Sequence, residues 1–296
     1  MTINALAAAP AARAWLATTR SARVLNVFEH ACNLVNPAGE VLSLVIGERG
    51  LTPFALLLPV NPLPLFSFVS PASLVRVEGQ KLSVGPLTIN WETARSWNPT
   101  PDWAALGRCL ADRARLADLA AGLANLPLRG SLLELFVAPP QGSLLPRALA
   151  GKARPAALAL IDGLRSASVS QASAGAQQLA GLGGGLTPAG DDFIVGALLA
   201  VWAGLYGSGL EELAGSLAVA AAQRTTTLSG AYLRAAARGE CAAPWHGLFA
   251  ALLAGEPASI RRALADLLSV GHTSGGDALA GFLAVHFVAE ATPASY

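Results

Sequence analysis

The sequence predicts an α+β protein: a small antiparallel β barrel or sandwich with a leading helix over residues 1–97, then a mainly α-helical domain over residues 98–296. Three observations predict it. Residues 22–92 divide into short runs rich in β-branched and aromatic residues, separated by turn signals. Asn98-Pro99-Thr100-Pro101-Asp102 places two prolines where they stop strand and helix alike. Beyond it the composition shifts to Ala and Leu, interrupted by Gly, Pro and hydroxyl clusters of the kind that end helices.

Residues 1–28 hold three arginines, Arg13, Arg20 and Arg23, and no acid, the pattern of a transit peptide. The alanine-rich stretch 9–19 reads better as a first helix. Strands follow at Val24–Phe28, Val41–Ile46, Phe54–Leu58, Leu74–Val77, Lys81–Val84 and Leu87–Trp91, with a hairpin turn over Val77–Lys81. A helix is predicted over 102–124, and Leu132–Val137 reads as a strand or a short helix. Helices then run over 154–166, 169–181, 188–206, 209–223, 228–238, 244–254, 257–268 and 276–290. The stretch Phe193–Leu210 is uncharged and near the lower length limit for a membrane span. Its glycines and the lack of Lys/Arg-rich flanks favour the buried helix of a bundle.

Hydrophobic residues are 53% of the 296 and charged residues 13%, which excludes general disorder. A net charge of +1 removes the basic field of a nucleic-acid binder. The only lysines, Lys81 and Lys152, lie away from the glycine-rich loop, so phosphate-loop chemistry is absent. Cys32, Cys109 and Cys241 form neither a disulfide framework nor a zinc knuckle and suit a reducing, cytoplasmic compartment. His30, His246, His272 and His286 lack metal-ligand spacing, and no Gly-x-Ser-x-Gly elbow occurs.

Three segments carry candidate chemistry. In Gly181-Leu-Gly183-Gly184-Gly185-Leu-Thr187-Pro188-Ala-Gly190-Asp191-Asp192, glycines can present successive backbone N–H groups, and Thr187-Pro188 reads as a cap followed by a first-turn proline. The loop feeds a helix start, whose positive end favours an anion. Asp191 and Asp192 repel a phosphate there unless a cation intervenes. Gly271-His272-Thr273-Ser274-Gly275-Gly276-Asp277 opens the last helix, and aligning Asp192 with Asp277 sets Gly196 on Gly281 and Gly190 on Gly275. Both helices thus read Asp-x-x-x-Gly, with the Gly one turn on and on the same face. Arg224-Thr225-Thr226-Thr227-Leu-Ser229 offers a guanidinium and four hydroxyls to a carboxylate or phosphate, with Thr227 as the expected cap of the next helix. The candidate reactive groups are Asp191, Asp192, Asp277 and, as acid/base, His272. The anion-binding candidates are Gly183, Gly184, Gly185, Thr187, Arg224, Thr225, Thr226, Thr227, Ser229, Thr273 and Ser274. Asp192 and Asp277 are the candidate ligands of a Mg²⁺ ion, the one cofactor the residues suggest.

The stretch Gly183-Gly-Gly-Leu-Thr-Pro-Ala-Gly-Asp-Asp-Phe193 resembles the AllH family of bacterial proteins, first described as a domain of unknown function and best known for a subunit of oxamate carbamoyltransferase in anaerobic allantoin degradation. The resemblance extends to Arg224–Ser229, Gly271–Gly281 and Ala31-Cys32-Asn33-Leu34. Gly184 stands where the family pattern has Pro, and Ala189 where it has Ser. The resemblance implies a multi-subunit carbamoyltransferase of purine and allantoin nitrogen catabolism, working with an FdrA-like subunit and another from the allantoin cluster. Its ligands are small anions: oxamate, oxalurate, phosphate and carbamoyl phosphate. It brings no catalytic assignment, so the candidate residues are those of the physical reading.

Two other readings compete. Gly276-Asp277-Ala278-Leu279 faintly resembles the all-helical ADP-ribosyl hydrolases, which suggests a Mg²⁺-dependent hydrolase of a small anionic substrate. A non-catalytic scaffold or sensor subunit is the third. None of the three calls for a nucleic-acid or membrane partner.

Overall fold

The computed structural model describes residues 1–60, 64–124, 126–137, 142–207 and 209–290, without the side chains of Arg113 and residues 285–290. The chain divides into two compact units, Met1–Pro99 with Cys241–Ala243, and Thr100–Glu240 with Pro244–Tyr296.

The first unit holds strands β1 (Thr2–Asn4), β2 (Ala7–Ala8), β3 (Ser21–Val27), β4 (Ala31–Val35), β5 (Val41–Ile46), β6 (Ala55–Leu58), β7 (Val75–Glu78), β8 (Lys81–Val84), β9 (Leu87–Asn90) and β10 (Arg95–Ser96), with helix α1 (Pro10–Thr18). They form one sheet in the order β1-β9-β8-β7-β3-β4-β5-β6-β2-β10. Consecutive residues of the N-terminal segment bond to distant parts of that order: Ala5 N–H donates to Asn90 O at 2.8 Å and Leu6 N–H to Leu57 O at 2.8 Å. Two adjacent residues can serve both only if the sheet curls back on itself, a half-barrel that reduces the open edges. Residues 1–28 contribute strands and core to this unit: Ala12, Trp15 and Leu16 on α1 are buried.

The expectation of a purely antiparallel sheet is corrected. β1/β9, β2/β10 and β5/β6 pair in parallel. Two of these pairs involve β1, β2 or β10, strands of two or three residues that are too short for any alternation to register in the sequence. The third comes from the crossover through the 3-10 turn Glu48–Gly50. β5 and β6 are buried on both faces, with Leu42, Leu44, Leu56 and Leu58 on one side and Val45, Ala55 and Leu57 on the other, so they read as continuous apolar runs.

The second unit is built from α2 (Trp103–Leu110), α3 (Arg113–Leu123), α4 (Arg147–Arg165), α5 (Val169–Leu179), α6 (Ala189–Trp202), α7 (Glu211–Ala222), α8 (Thr227–Ala237), α9 (Ala243–Ala254), α10 (Pro257–Leu268) and α11 (Ser274–Glu290). The single helix expected over 102–124 is two, because the Asp112 side chain accepts from Ala114 N–H at 2.9 Å and caps a new start. α4 begins at Arg147 rather than 154 and carries Pro155 within it, on an exposed face where the lost N–H bond is tolerated. Leu132–Leu135 is a short 3-10 helix. No helix among the described residues is long and apolar enough to cross a membrane; α6 ends at Trp202 and is buried along most of its length.

The α6–α11 crossing positions everything that follows. A β-carbon on Gly196 would overlap Ala278 O and press on Phe282 N, and one on Gly281 would overlap Phe193 O and press on Ala197 N. Each pair is related by the same offset along the chain, so the Asp-x-x-x-Gly repeat is a two-fold-like contact of backbone on backbone. Gly190 and Gly275, in the two first turns, lie as closely on Leu179 O and Leu267 O, carbonyls at the ends of the preceding helices.

The segment before α4 is held by Glu134. Its carboxylate accepts from Gly130 N–H at 2.8 Å, Ser143 Oγ at 2.7 Å, Leu144 N–H at 2.9 Å and Leu145 N–H at 3.0 Å. Burial alone would raise its pKa, but the four hydrogen bonds outweigh that and hold it below the usual glutamate value of 4.5.

Two predictions follow from these packings. Gly196→Ala or Gly281→Ala should cost on the order of 3 kcal/mol or more, because backbone must move, whereas Gly215→Ala, whose β-carbon meets nothing within 4 Å, should stabilise α7 by up to ~1 kcal/mol. Thermal melts of the three variants check both signs. Because the folded-state pKa of Glu134 is depressed, its contribution is present above the ordinary glutamate range and is lost as pH falls through the folded pKa. The difference in melting temperature between wild type and Glu134→Gln should therefore narrow on acidification.

Candidate functional site

The starts of α6 and α11 converge, and hydroxyls join them: Thr187 Oγ1 and Ser274 Oγ lie 2.9 Å apart. The expected cap at Thr187 is corrected. Pro188 occupies the cap position without a side-chain bond, because the Thr187 hydroxyl turns to Ser274 instead.

Three carboxyls sit beneath this contact. Asp191, 1% exposed, is a tie: Oδ1 accepts from Gly181 N–H at 2.8 Å and Oδ2 from the Thr225 hydroxyl. Burial raises its pKa against the lowering effect of Thr225, Gly181 and Ser229. Asp192, 9% exposed, is held well above the usual aspartate range, chiefly by burial, with the Asp277 and Asp191 charges adding to it and the Ser274 and Thr187 hydroxyls opposing it. Asp277, 1% exposed, accepts from Leu132 N–H at 2.6 Å; burial pushes it up to about 6 against that bond and one from the Thr273 hydroxyl. Among the described residues the influences on the three are burial, N–H groups, hydroxyls and neighbouring carboxyls.

The Arg224–Ser229 segment divides between structure and surface. Thr226, not Thr227, caps α8: its hydroxyl accepts from Ser229 N–H at 3.1 Å and donates to Leu186 O at 2.6 Å. The cap falls one residue early because Leu186 O, in the glycine-rich loop, is the acceptor within reach. Ser229 is buried and its hydroxyl donates to the same carbonyl at 3.4 Å. Thr227 is exposed on the first turn of α8. The Arg224 side chain is exposed and does not join the carboxyls. It lines an open cleft of about 570 Å³ with Lys152, Gln177 and Gln178, while its backbone carbonyl lies against Gly181.

Gly183, Gly184 and Gly185 form an exposed loop leading into α6, with φ of +116° at Gly183 and +93° at Gly185, and open space where side chains at Gly184 and Gly185 would stand. His272 is exposed on the loop before α11, outside the hydrogen bonds that link the two helix starts. The side chain of His286 lies outside the described residues.

Three contributors escaped the motif reading. Ser131 and Leu132 come from the 3-10 segment; Leu132 N–H holds Asp277, and a β-carbon on Gly276 would press on Ser131 Oγ at 2.5 Å. Tyr232 is near enough to Asp192 for that carboxylate to raise its pKa further, after burial. It follows Thr225 and Ser229 at helical spacing, so face arithmetic on α8 would have found it. Nothing in the local sequence singles out Ser131. Among the described residues no group of three or more His, Cys, Asp or Glu side chains is arranged to hold a metal ion. Asp192 and Asp277 each keep one buried oxygen without a partner.

No solved structure matches the chain. Two family models do: the AllH family N-terminal domain over residues 4–96, and the oxamate carbamoyltransferase subunit AllH over residues 179–286. The second spans the whole of the site just described apart from Ser131 and Leu132. With one model on each unit, and with the glycine loop, the Arg224–Ser229 segment and both Asp-bearing helix starts inside the matched residues, the chain belongs to the AllH family.

Proposed function

We propose that this chain is the subunit of a cytoplasmic carbamoyltransferase that binds a small planar anion, of the oxamate, oxalurate or carbamoyl phosphate class, at the paired starts of α6 and α11. The observation that carries the reading is the Thr187–Ser274 contact: it brings two helix N-termini and two hydroxyls to one place. Helix starts present N–H groups and a positive dipole end to a carboxylate or phosphate, and hydroxyls can donate to the same oxygens. The exposed Gly183–Gly185 loop allows a ligand close to backbone.

In the reaction a phosphate oxygen attacks the carbamoyl carbon of oxalurate. The bond from that carbon to the oxamate nitrogen breaks, and the proton brought by phosphate ends on that nitrogen, giving carbamoyl phosphate and oxamate. Negative charge grows on the carbamoyl oxygen as the tetrahedral centre forms. Preorganised N–H and hydroxyl donors stabilise such charge without reorganising. The chain acts with other subunits, an FdrA-like protein and another of the allantoin cluster, in purine nitrogen catabolism.

The isolated chain should melt at a higher temperature in carbamoyl phosphate or oxamate, by mass action on the folded state. That shift should be lost in the Thr187→Val, Ser274→Ala double variant. In the assembled enzyme the same variant should lose on the order of tenfold or more in kcat/KM. A ligand shift that survives in the double variant removes the site assignment. Full turnover by the partner subunits without this chain would leave it a scaffold.

A further inference from the structure

We propose that Asp192 Oδ2, Asp277 Oδ2 and Ser131 Oγ hold a hard divalent cation of the Mg²⁺ class beneath the start of α11. Each of these atoms is buried and has no hydrogen-bond partner. Their residues are 9%, 1% and 1% exposed. Buried polar atoms in native proteins are nearly always paired, and orphans mark a missing water or ion. Three orphans on residues that adjoin one another therefore point to one occupant.

The adjacency is given by separate contacts. Leu132 N–H donates to Asp277 Oδ1 at 2.6 Å, which brings the neighbouring Ser131 to the start of α11. Ser131 Oγ lies so close to Gly276 that a β-carbon there would collide with it, and the glycine lets the hydroxyl approach the first turn of α11. The starts of α6 and α11 meet at the Thr187–Ser274 contact, and the Asp277 charge and the Ser274 hydroxyl both influence Asp192. The Ser131 hydroxyl, packed against the first turn of α11, has no hydrogen-bond partner. One cation bound by the two carboxylates and the hydroxyl would satisfy all three oxygens at once.

A cation would favour the ionised form of both carboxyls, which burial otherwise opposes. The donor set selects the metal class. All three atoms are oxygens, so zinc, copper and other metals that favour nitrogen or sulfur are disfavoured. Three protein oxygens fall short of a calcium cage. They match Mg²⁺, which is commonly held by one or two carboxylates and fills its remaining positions with water or substrate phosphate. Such an ion would also remove the conflict between first-turn aspartates and an anion at the same helix starts. The inference stands on the orphaned oxygens and not on the carbamoyl reading.

The test uses the full chain, stripped with chelator, in the absence of any carbamoyl ligand. Terbium replaces hard cations and emits when sensitised by a nearby aromatic ring, and Tyr232 lies beside Asp192. The expected result is terbium emission that Mg²⁺ displaces, with terbium affinity about tenfold weaker in Ser131→Ala and emission abolished in Asp192→Asn. Circular dichroism checks that the variants fold; if Asp192→Asn does not, Ser131→Ala decides. No emission, emission that Mg²⁺ fails to displace, or unchanged affinity in a folded variant overturns the proposal. The ligand-induced melting shifts of the preceding section are a separate readout, so failure of one leaves the other standing.

Discussion

Backbone-on-backbone contact between α6 and α11 is the constraint from which the site follows. Gly196 and Gly281 let each helix lay a carbonyl where the other lacks a β-carbon. The axes come closer than side-chain packing would permit, and the first turns are brought together one turn upstream. That approach sets the Thr187 hydroxyl against Ser274 and buries Asp192 and Asp277 within range of each other's charge. Gly190 and Gly275 repeat the device by fitting each first turn onto the carbonyl that ends the preceding helix. Four glycines in two related helices thus do by geometry what no single strong interaction does.

Burial at that crossing has an electrostatic consequence. Carboxyls removed from water are costly in the ionised form, and here burial raises the pKa of all three. Asp191 offsets part of this by bonding Gly181 N–H and Thr225, which fastens the glycine loop and the α7–α8 turn to the start of α6. Asp192 and Asp277 are not so fully engaged, and each keeps an oxygen free of partners. The difference separates a fully bonded carboxylate from two that each keep an unpartnered oxygen, although all three lie in the first turns of neighbouring helices.

Much of this was legible in the chain. The Asp-x-x-x-Gly repeat identified both helices and the face on which they meet, because helical periodicity maps spacing directly to direction. The proline pair near Pro99 marked the change from strands to helices for the same local reason, fixed φ and missing N–H groups. Arg224 lies where spacing along the chain carries no directional information. Its neighbours Thr225 and Thr226 turn toward Asp191 and Leu186, while its own side chain lies in a cleft with Lys152. Spacing could not reveal this, since a turn between helices has no period. Two of the three parallel strand pairs were hidden too, because β1, β2 and β10 are segments of two or three residues paired over long distances.

By itself, then, the sequence determined the identity of the elements, the family, and the two helix starts that carry acid and hydroxyl side by side. These are local properties, set by propensity, periodicity and capping. Tertiary structure alone decided that the starts converge, that Ser131 and Leu132 arrive from a distant 3-10 turn, and which aspartate oxygens stay unpaired. Those outcomes depend on burial and on contacts between residues far apart in the chain, and neither is encoded within a window of neighbouring residues.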